Sequence, residues 1–319
     1  MDDIGGCCLC DLPGIASGRG TRAATTSGFW TPGIQLYTLG DAPRIDLAGT
    51  LRRVARLGYR RVELPGDYGR APQELRRALT VAGLTCPAIH VLPQATPDAW
   101  HLDGDITALA ANVRALGADR AVVAIAPLPD QVRQAFLHPP AGGPDPAVLD
   151  GLVRALTRDD WKRAAALLND RAARLAASGI ALAYHNHAFE FVPLSGGGTG
   201  YDLLLAETDP ALVSFELDVG WVAAAGQDVV ELLERTGRRV TMMHLKDAAG
   251  ISRNVIEMAP ADVGTGIVPW RALAGAIRRV GIDQLYFEQE PPFPASAFAS
   301  AAVARTWFDG LFGERPPPR

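Results

Sequence analysis

From residue 33 onward, apolar positions along the chain alternate between two periods. Runs rich in Ala, Leu and Arg, such as Leu51 to Leu57 and Leu75 to Ala82, carry apolar residues three or four apart and predict amphipathic helices. Short apolar runs predict strands at Arg61 to Leu64, Pro87 to Val91, Ala121 to Ile125, Ile180 to Tyr184, Val240 to His244 and Leu285 to Glu288. A glycine precedes each strand: Gly58, Gly83, Gly117, Gly179, Gly237 and Gly281. Such a residue suits a left-handed helix end, which glycine adopts without a Cβ penalty. Ile34 to Tyr37 and Val213 to Leu217 complete eight strands alternating with helices, which implies a parallel α/β sheet closed into a single (β/α)8 barrel. A doubly wound dinucleotide fold would want a glycine-rich turn after its first strand, but Tyr37-Thr38-Leu39-Gly40-Asp41-Ala42 holds one glycine.

The barrel is expected over residues 33–313, with an irregular, poorly ordered N-terminal tail over 1–32 and a disordered end over 314–319. Two connections exceed the usual length, Pro127 to Arg158 and Asp247 to Pro269. Connections that follow barrel strands lie on the catalytic face, so both are candidate substrate covers or partner contacts; a plain surface insertion serves equally for Pro127 to Arg158.

Composition narrows the function classes. The 319 residues are 48% hydrophobic and 21% charged, enough to bury one large core. A formal net charge of −4 and a pI near 5.9 offer no electrostatic footprint for a polyanion, so no nucleic-acid partner is expected. No apolar stretch approaches a membrane span, and the acidic, glycine-interrupted start lacks the pattern of a signal peptide. Cys7, Cys8 and Cys10 crowd the tail and Cys86 stands alone in a strand, so no disulfide framework is expected and a reducing cytoplasm is. Oligomeric state is left open, a homo-oligomer included.

The candidate chemistry sits at strand ends. Gln35, Glu63, His90, His185 with His187, Asp218, His244 with Lys246, and Glu288 with Glu290 all fall where strands finish, and four of the six histidines are among them. Barrel enzymes project their active residues there. Carboxylates and imidazoles at the end of apolar strands are costly unless compensated, and a divalent cation is the usual compensation. His185 and His187 are two apart and share a direction in extended chain, so both could reach one ion, or one could bind while the other handles a proton. Lys246 shares the direction of His244 and is a candidate oxyanion stabiliser, with an ion pair to Asp247 or Glu216 as its structural alternative. Glu63 is a candidate for a substrate hydroxyl or for acid/base work, and Trp221 for a sugar-facing wall. Gly196-Gly197-Gly198-Thr199-Gly200 reads as a flexible turn rather than a phosphate cradle.

The segments Gly33 to Thr38, Leu57 to Leu64, Tyr184 to Phe191, Glu216 to Trp221, His244 to Asp247, Val263 to Gly266 and Glu288-Gln289 together resemble the sugar phosphate isomerase/epimerase family of xylose isomerase-like TIM barrels. The resemblance spans residues 33 to about 292 and implies a TIM barrel holding one divalent ion on its later strands by Glu, Asp, His and Glu, with two glutamates moving protons. Asp218, His244 and Glu288 match the last three ligand positions. The first glutamate is missing, and His185 stands in its place. The set expected here is therefore His185, Asp218, His244 and Glu288 as ligands and His187 as general base, with Glu190 as substitute for either. Lys246 and Glu63 are expected to assist, and Gln35, His90, Trp221 and Glu290 to contact substrate. Manganese is the expected ion, with magnesium, cobalt or zinc as alternatives. The expected activity is isomerisation or epimerisation of a keto-sugar or polyol through an enediolate. The alternatives are a dehydratase or lyase using the same site on a keto-sugar, inosose or keto-glycoside, and a non-catalytic sugar-binding or partner subunit.

Overall fold

The computed structural model of the protein describes residues 30–95, 99–137 and 145–313. Residues 1–29 with Cys7, Cys8 and Cys10, His138, Pro139-Pro140, Gly142-Gly143 and the end 314–319 lie outside the described residues. Trp30, assigned above to the tail, is anchored: its indole N–H donates to the Ile282 carbonyl at 2.9 Å and its ring meets Phe312 edge-on.

Eight parallel strands close the barrel. In chain order they are β1 (Gly33–Gln35), β2 (Arg61–Leu64), β3 (Thr85–Val91), β4 (Arg120–Val123), β5 (Ala181–His185), β6 (Val213–Asp218) and β7 (Val240–Leu245), then β10 (Gln284–Phe287), which pairs with both β7 and β1. Between β7 and β10 a two-residue ladder joins β8 (Asp247–Ala248) to β9 (Pro260–Ala261) in antiparallel register. All six glycines that precede strands have positive φ. Gly83 and Gly117 are left-handed helix ends as expected, whereas Gly237 takes φ 57° with ψ −134°, a conformation outside the left-handed helix that an L side chain also avoids.

The outer helices are amphipathic because their apolar residues recur at helical spacing. The helix Leu47–Arg56, capped by the Asp46 carboxylate accepting from the Gly49 N–H, buries Leu47, Leu51 and Val54. Each such side chain contributes roughly 1.5–3 kcal/mol on burial. Inside the barrel, Ala88, Val122, Ala183, Met242 and Tyr286 form an apolar floor. The period-two alternation of strands then turns the residues two places further on in the same direction, above that floor: His90, His185, His244 and Glu288.

The two long connections meet on this face. The Asp150 carboxylate, from the helix Pro146–Arg154, accepts from the Val255 N–H at 2.8 Å, and the Arg154 guanidinium donates to the Arg253 carbonyl at 3.0 Å. Asp247 organises the second connection, accepting from the backbone N–H groups of Gly264, Gly266 and Val268 and from the Trp270 indole. The loop therefore hangs from one buried carboxylate. Among the described residues no helix is long and apolar enough to cross a membrane.

Candidate metal centre and active site

Three histidines from β3, β5 and β7 converge on Glu216 of β6. Its Oε2 lies 3.0 Å from His90 Nε2, 3.1 Å from His185 Nδ1 and 3.1 Å from His244 Nε2. Glu63 Oε2 joins from the other side, 2.7 Å from His244 Nε2 and 3.3 Å from His90 Nε2, and accepts from the Gln35 amide at 2.9 Å. Glu63, Glu216 and His244 are fully buried. Burial alone would raise the Glu216 carboxyl, but the charge of His244 and hydrogen bonds from His185, His244 and His90 hold it well below its usual range. Burial likewise opposes charge on His90, yet Glu63 and Glu216 lift it to about 9.

His185 behaves differently. Burial, reinforced by the neighbouring His244 and His90, lowers it to about 4 despite the hydrogen bond to Glu216. The contact is thus a neutral Nδ1–H donating to a carboxylate, which leaves the Nε2 lone pair on the side of Asp218, 4.0 Å from Asp218 Oδ2. His244 also presents its second nitrogen to this side, with Nδ1 3.9 Å from Asp218 Oδ2 and 2.9 Å from Glu288 Oε2. Both histidines hold one nitrogen on a carboxylate behind and turn the other toward Asp218 and Glu288. That arrangement fixes ring orientation and raises ligand basicity at metal sites.

The donor set of His185, Asp218, His244 and Glu288 fits a divalent ion, since each offers a ligand atom within 4.8 Å of the others. Asp218 Oδ2 is buried and makes no hydrogen bond; Lys246 Nζ stands 3.0 Å away without the alignment of one. Burial pushes the Asp218 carboxyl up to about 6 even against that ammonium, so a nearby cation would relieve it. A second group with the same spacing, His90, His185, Glu216 and His244, shares two histidines. Its centre is filled by Glu216 Oε2 itself, so it holds the ligands in place rather than offering room.

A cavity of 360 Å3 opens above these residues, lined by Tyr37, His90, His185, His187, Trp221, Lys246, Glu288 and Glu290, with Leu92, Ile125, Phe189, Val255 and Ile256 as an apolar wall. The long connection 247–269 does cover the site, through Val255 and Ile256. Lys246 bridges the carboxylates at 2.7 Å from Glu288 Oε2 and 2.9 Å from Glu290 Oε1. Burial disfavours its charge, but Asp218, Glu288 and Glu290 hold the ammonium well above its ordinary range. Its partners are thus these three, not Asp247 or Glu216. Gly220 makes room for it, since a Cβ there would lie 2.7 Å from Lys246 Cγ.

His187 stacks on Phe189 and tilts against Trp221 at 5.4 Å. Its Nδ1 is buried without a partner, as is the Trp221 indole N–H. Burial, with the neighbouring His185 and the Lys246 ammonium, holds His187 well below its ordinary range, so it is neutral near pH 7.

Three expected site residues are placed elsewhere. Glu190 is turned away from the cluster: it accepts from the Tyr184 hydroxyl at 2.6 Å and from the His187 backbone N–H at 2.9 Å. A short 3-10 turn over Phe189–Phe191 aims it there, and burial raises it to about 7. Gln35 and Glu63 do not line the cavity. The register explains this, because Glu63 pairs with Ala88, a floor residue, one inward step below His90. Conversely, Glu216 and Tyr37 belong to the site without having been assigned a role. The spacing Glu216-Leu217-Asp218 was the available signal, since residues two apart on a strand share a face. The Gly196–Gly198 run is a tight turn whose Gly197 N–H donates to the Leu194 carbonyl, and the Thr199 N–H is taken by the Asp202 carboxylate.

Comparison with known proteins agrees with this fold. An inosose dehydratase of Lacticaseibacillus casei is 25% identical over 177 residues, 48% of this chain and 55% of that protein. The chain spans about half the length of the curated relatives it first matches. Among solved structures, a sugar phosphate isomerase/epimerase from Parabacteroides distasonis shares the fold with a TM-score of 0.66 at 22% identity, over 92% of this chain and 99% of that one. The IolI protein with a bound zinc atom shares it with a TM-score of 0.62 at 12% identity, over 90% of this chain and all of that one. The xylose isomerase-like TIM barrel model matches residues 51–307. With eight strands closed in the order their sequence predicts and a ligand cluster gathered at the strand ends, the chain belongs to the xylose isomerase-like TIM barrel family.

Proposed function

We propose that the protein is a divalent-metal-dependent enzyme that removes the proton α to a carbonyl of an unphosphorylated keto-sugar, with β-elimination as the outcome its geometry supports best. The observation that carries this is His187. Among the described histidines and carboxylates lining the cavity, it is the one with no ion pair or side-chain hydrogen bond. The resemblance implies two glutamates moving protons. Here one neutral imidazole and one ammonium line the same cavity, a pairing of one base with one acid.

His185, Asp218, His244 and Glu288 would hold the ion, manganese being the first choice for this mixed nitrogen and oxygen set. A bound divalent ion would polarise the substrate carbonyl and a neighbouring hydroxyl. His187 takes the α proton and the C–H electron pair becomes the enediolate. As that pair moves into the adjacent bond, the β C–O bond breaks and Lys246, held by Glu290, gives a proton to the departing oxygen. Water or an alcohol leaves with an unsaturated ketone. Trp221 offers its free indole N–H to a substrate hydroxyl, and Lys246, the one lysine or arginine lining the cavity among the described residues, is already committed to carboxylates, which disfavours a phosphate. Isomerisation by the same single base is the second reading. It differs in that the enediolate is reprotonated on the neighbouring carbon with no oxygen lost.

The test is proton NMR of a panel of keto-sugars, inososes and keto-glycosides in deuterated water with manganese-loaded protein. The proposal expects loss of the α-proton signal, growth of a vinylic one, and arrest of both by a chelator. Exchange with neither a vinylic product nor the dione to which its enol tautomerises would support isomerisation instead, and no exchange across the panel would sink both.

Glu216→Gln is expected to weaken metal affinity by about 10–100-fold, because the amide no longer holds three histidines with a full charge. Calorimetric titration of manganese into metal-free variant and parent measures it; equal affinities would remove Glu216 from the account.

A further inference from the structure

A general base is usually oriented by a third group bonded to its ring, and His187 has none, its Nδ1 being buried without a partner. Its orientation must come from what the ring rests on and from its backbone. The ring stacks on Phe189, with 5.8 Å between centres and 13° between planes, and Phe189 stacks in turn on Trp161 of the helix Arg158–Ala177 at 6.1 Å. Trp161 is closely held, since a Cβ at Gly200 would lie 2.2 Å from its indole. This column gives the imidazole a firm seat, but stacking alone leaves a ring free to slide along the face below it.

Glu190 supplies the missing constraint. The 3-10 turn Phe189–Phe191 brings it back so that Oε2 accepts from the His187 backbone N–H at 2.9 Å while Oε1 accepts from the Tyr184 hydroxyl at 2.6 Å. Tyr184 lies on β5 beside the ligand His185, so one carboxylate ties the turn that bears the base to the strand that bears the ligand. Glu190 and Tyr184 are both fully buried. Among the described residues Glu190 makes no ion pair, unlike Glu63, Glu216 and Glu288. A carboxylate buried without a cation is costly, and an apolar pair would fill the same space without that cost if packing were the whole requirement.

We infer that Glu190 is a positioning residue for the proton abstraction: by joining the His187 backbone to the Tyr184 hydroxyl, it sets the distance of the imidazole from the metal centre. This rests on the proposed function, in which His187 is the base. Glu190 does not line the cavity, so it acts through His187 rather than on the substrate.

The experiment compares Glu190→Asp with Glu190→Gln in the manganese-loaded full chain, on the keto-sugar whose α proton the parent exchanges fastest. The first variant keeps the charge but is shorter by one carbon, about 1.5 Å, and cannot reach both partners. The second loses the charge but keeps both contacts, its amide oxygen accepting from the His187 N–H and its amide N–H donating to the Tyr184 hydroxyl oxygen. Glu190→Asp is expected to lower kcat about 10–100-fold, the effect of a small misplacement of reacting groups, with KM and manganese affinity within about twofold of the parent. Glu190→Gln should recover most of that loss. Tyr184→Phe, which keeps the core volume but unties the carboxylate from β5, should reproduce the loss and serves if Glu190→Asp does not fold. NMR of histidine-labelled, metal-free protein adds a readout independent of turnover: the His187 ring signals, identified by their absence from His187→Gln, should shift in Glu190→Asp and stay in place in Glu190→Gln. Parental kcat in Glu190→Asp and Tyr184→Phe, or equal losses in Glu190→Asp and Glu190→Gln, would overturn the positioning role and leave His187 as the base. Full exchange by His187→Gln, or none by the parent, would overturn the base and the positioning role together.

Discussion

His244→Ala is expected to lower stability by about 3–5 kcal/mol even before a metal is considered. The imidazole stands between Glu63 and Glu216 on one nitrogen and Glu288 on the other, at 2.7, 3.1 and 2.9 Å. Glu216 and Glu288 hold it protonated well above its ordinary range, against the cost of burial. Alanine would leave buried carboxylates facing one another, which is far more costly than deleting an isolated contact. Urea denaturation of metal-free protein measures the loss. His244→Gln keeps an amide donor to one side and should lose less. A change below about 1 kcal/mol for the alanine variant would mean that the carboxylates are not held ionised by this ring.

His187→Gln is expected to lower kcat by about 10²–10⁴-fold, the usual contribution of a positioned general base. Metal content and folding should stay near parental levels, because the His187 side chain makes no hydrogen bond and meets the ligand group only through an edge-on ring contact with His185 at 5.1 Å. The backbone N–H at 187 remains bound to Glu190, so the loop keeps its anchor. Elemental analysis, a melting curve and single-turnover kinetics on one preparation separate the effects. Full activity in a well-folded, metal-loaded variant would assign the base to another residue.

The sequence made the barrel legible because helix, glycine and strand recur at each turn of the fold, and the backbone at all six glycines has the positive φ that the pattern implies. Strand ends also identified the polar residues. What a linear pattern does not reveal is depth. Glu63 looked like a substrate contact, but the pairing of β2 with β3 sets it opposite Ala88, so it lies beneath the cavity and props His244 instead. Glu216 and Asp218 share a face, yet only the convergence of β3, β5 and β7 makes Glu216 the hub of three imidazoles. Glu190 was five residues past the ligand position and available in principle, until the chain turned it back on Tyr184.

The metal centre carries the account, and its stoichiometry is the most direct measurement. Elemental analysis of protein reconstituted with manganese and freed of excess is expected to give about one ion per chain, reduced to background in Asp218→Asn, whose side chain keeps its shape but loses the charge at the buried oxygen that makes no hydrogen bond. Background metal in the parent, or an ion retained in full by Asp218→Asn, would contradict the site described and the chemistry built on it.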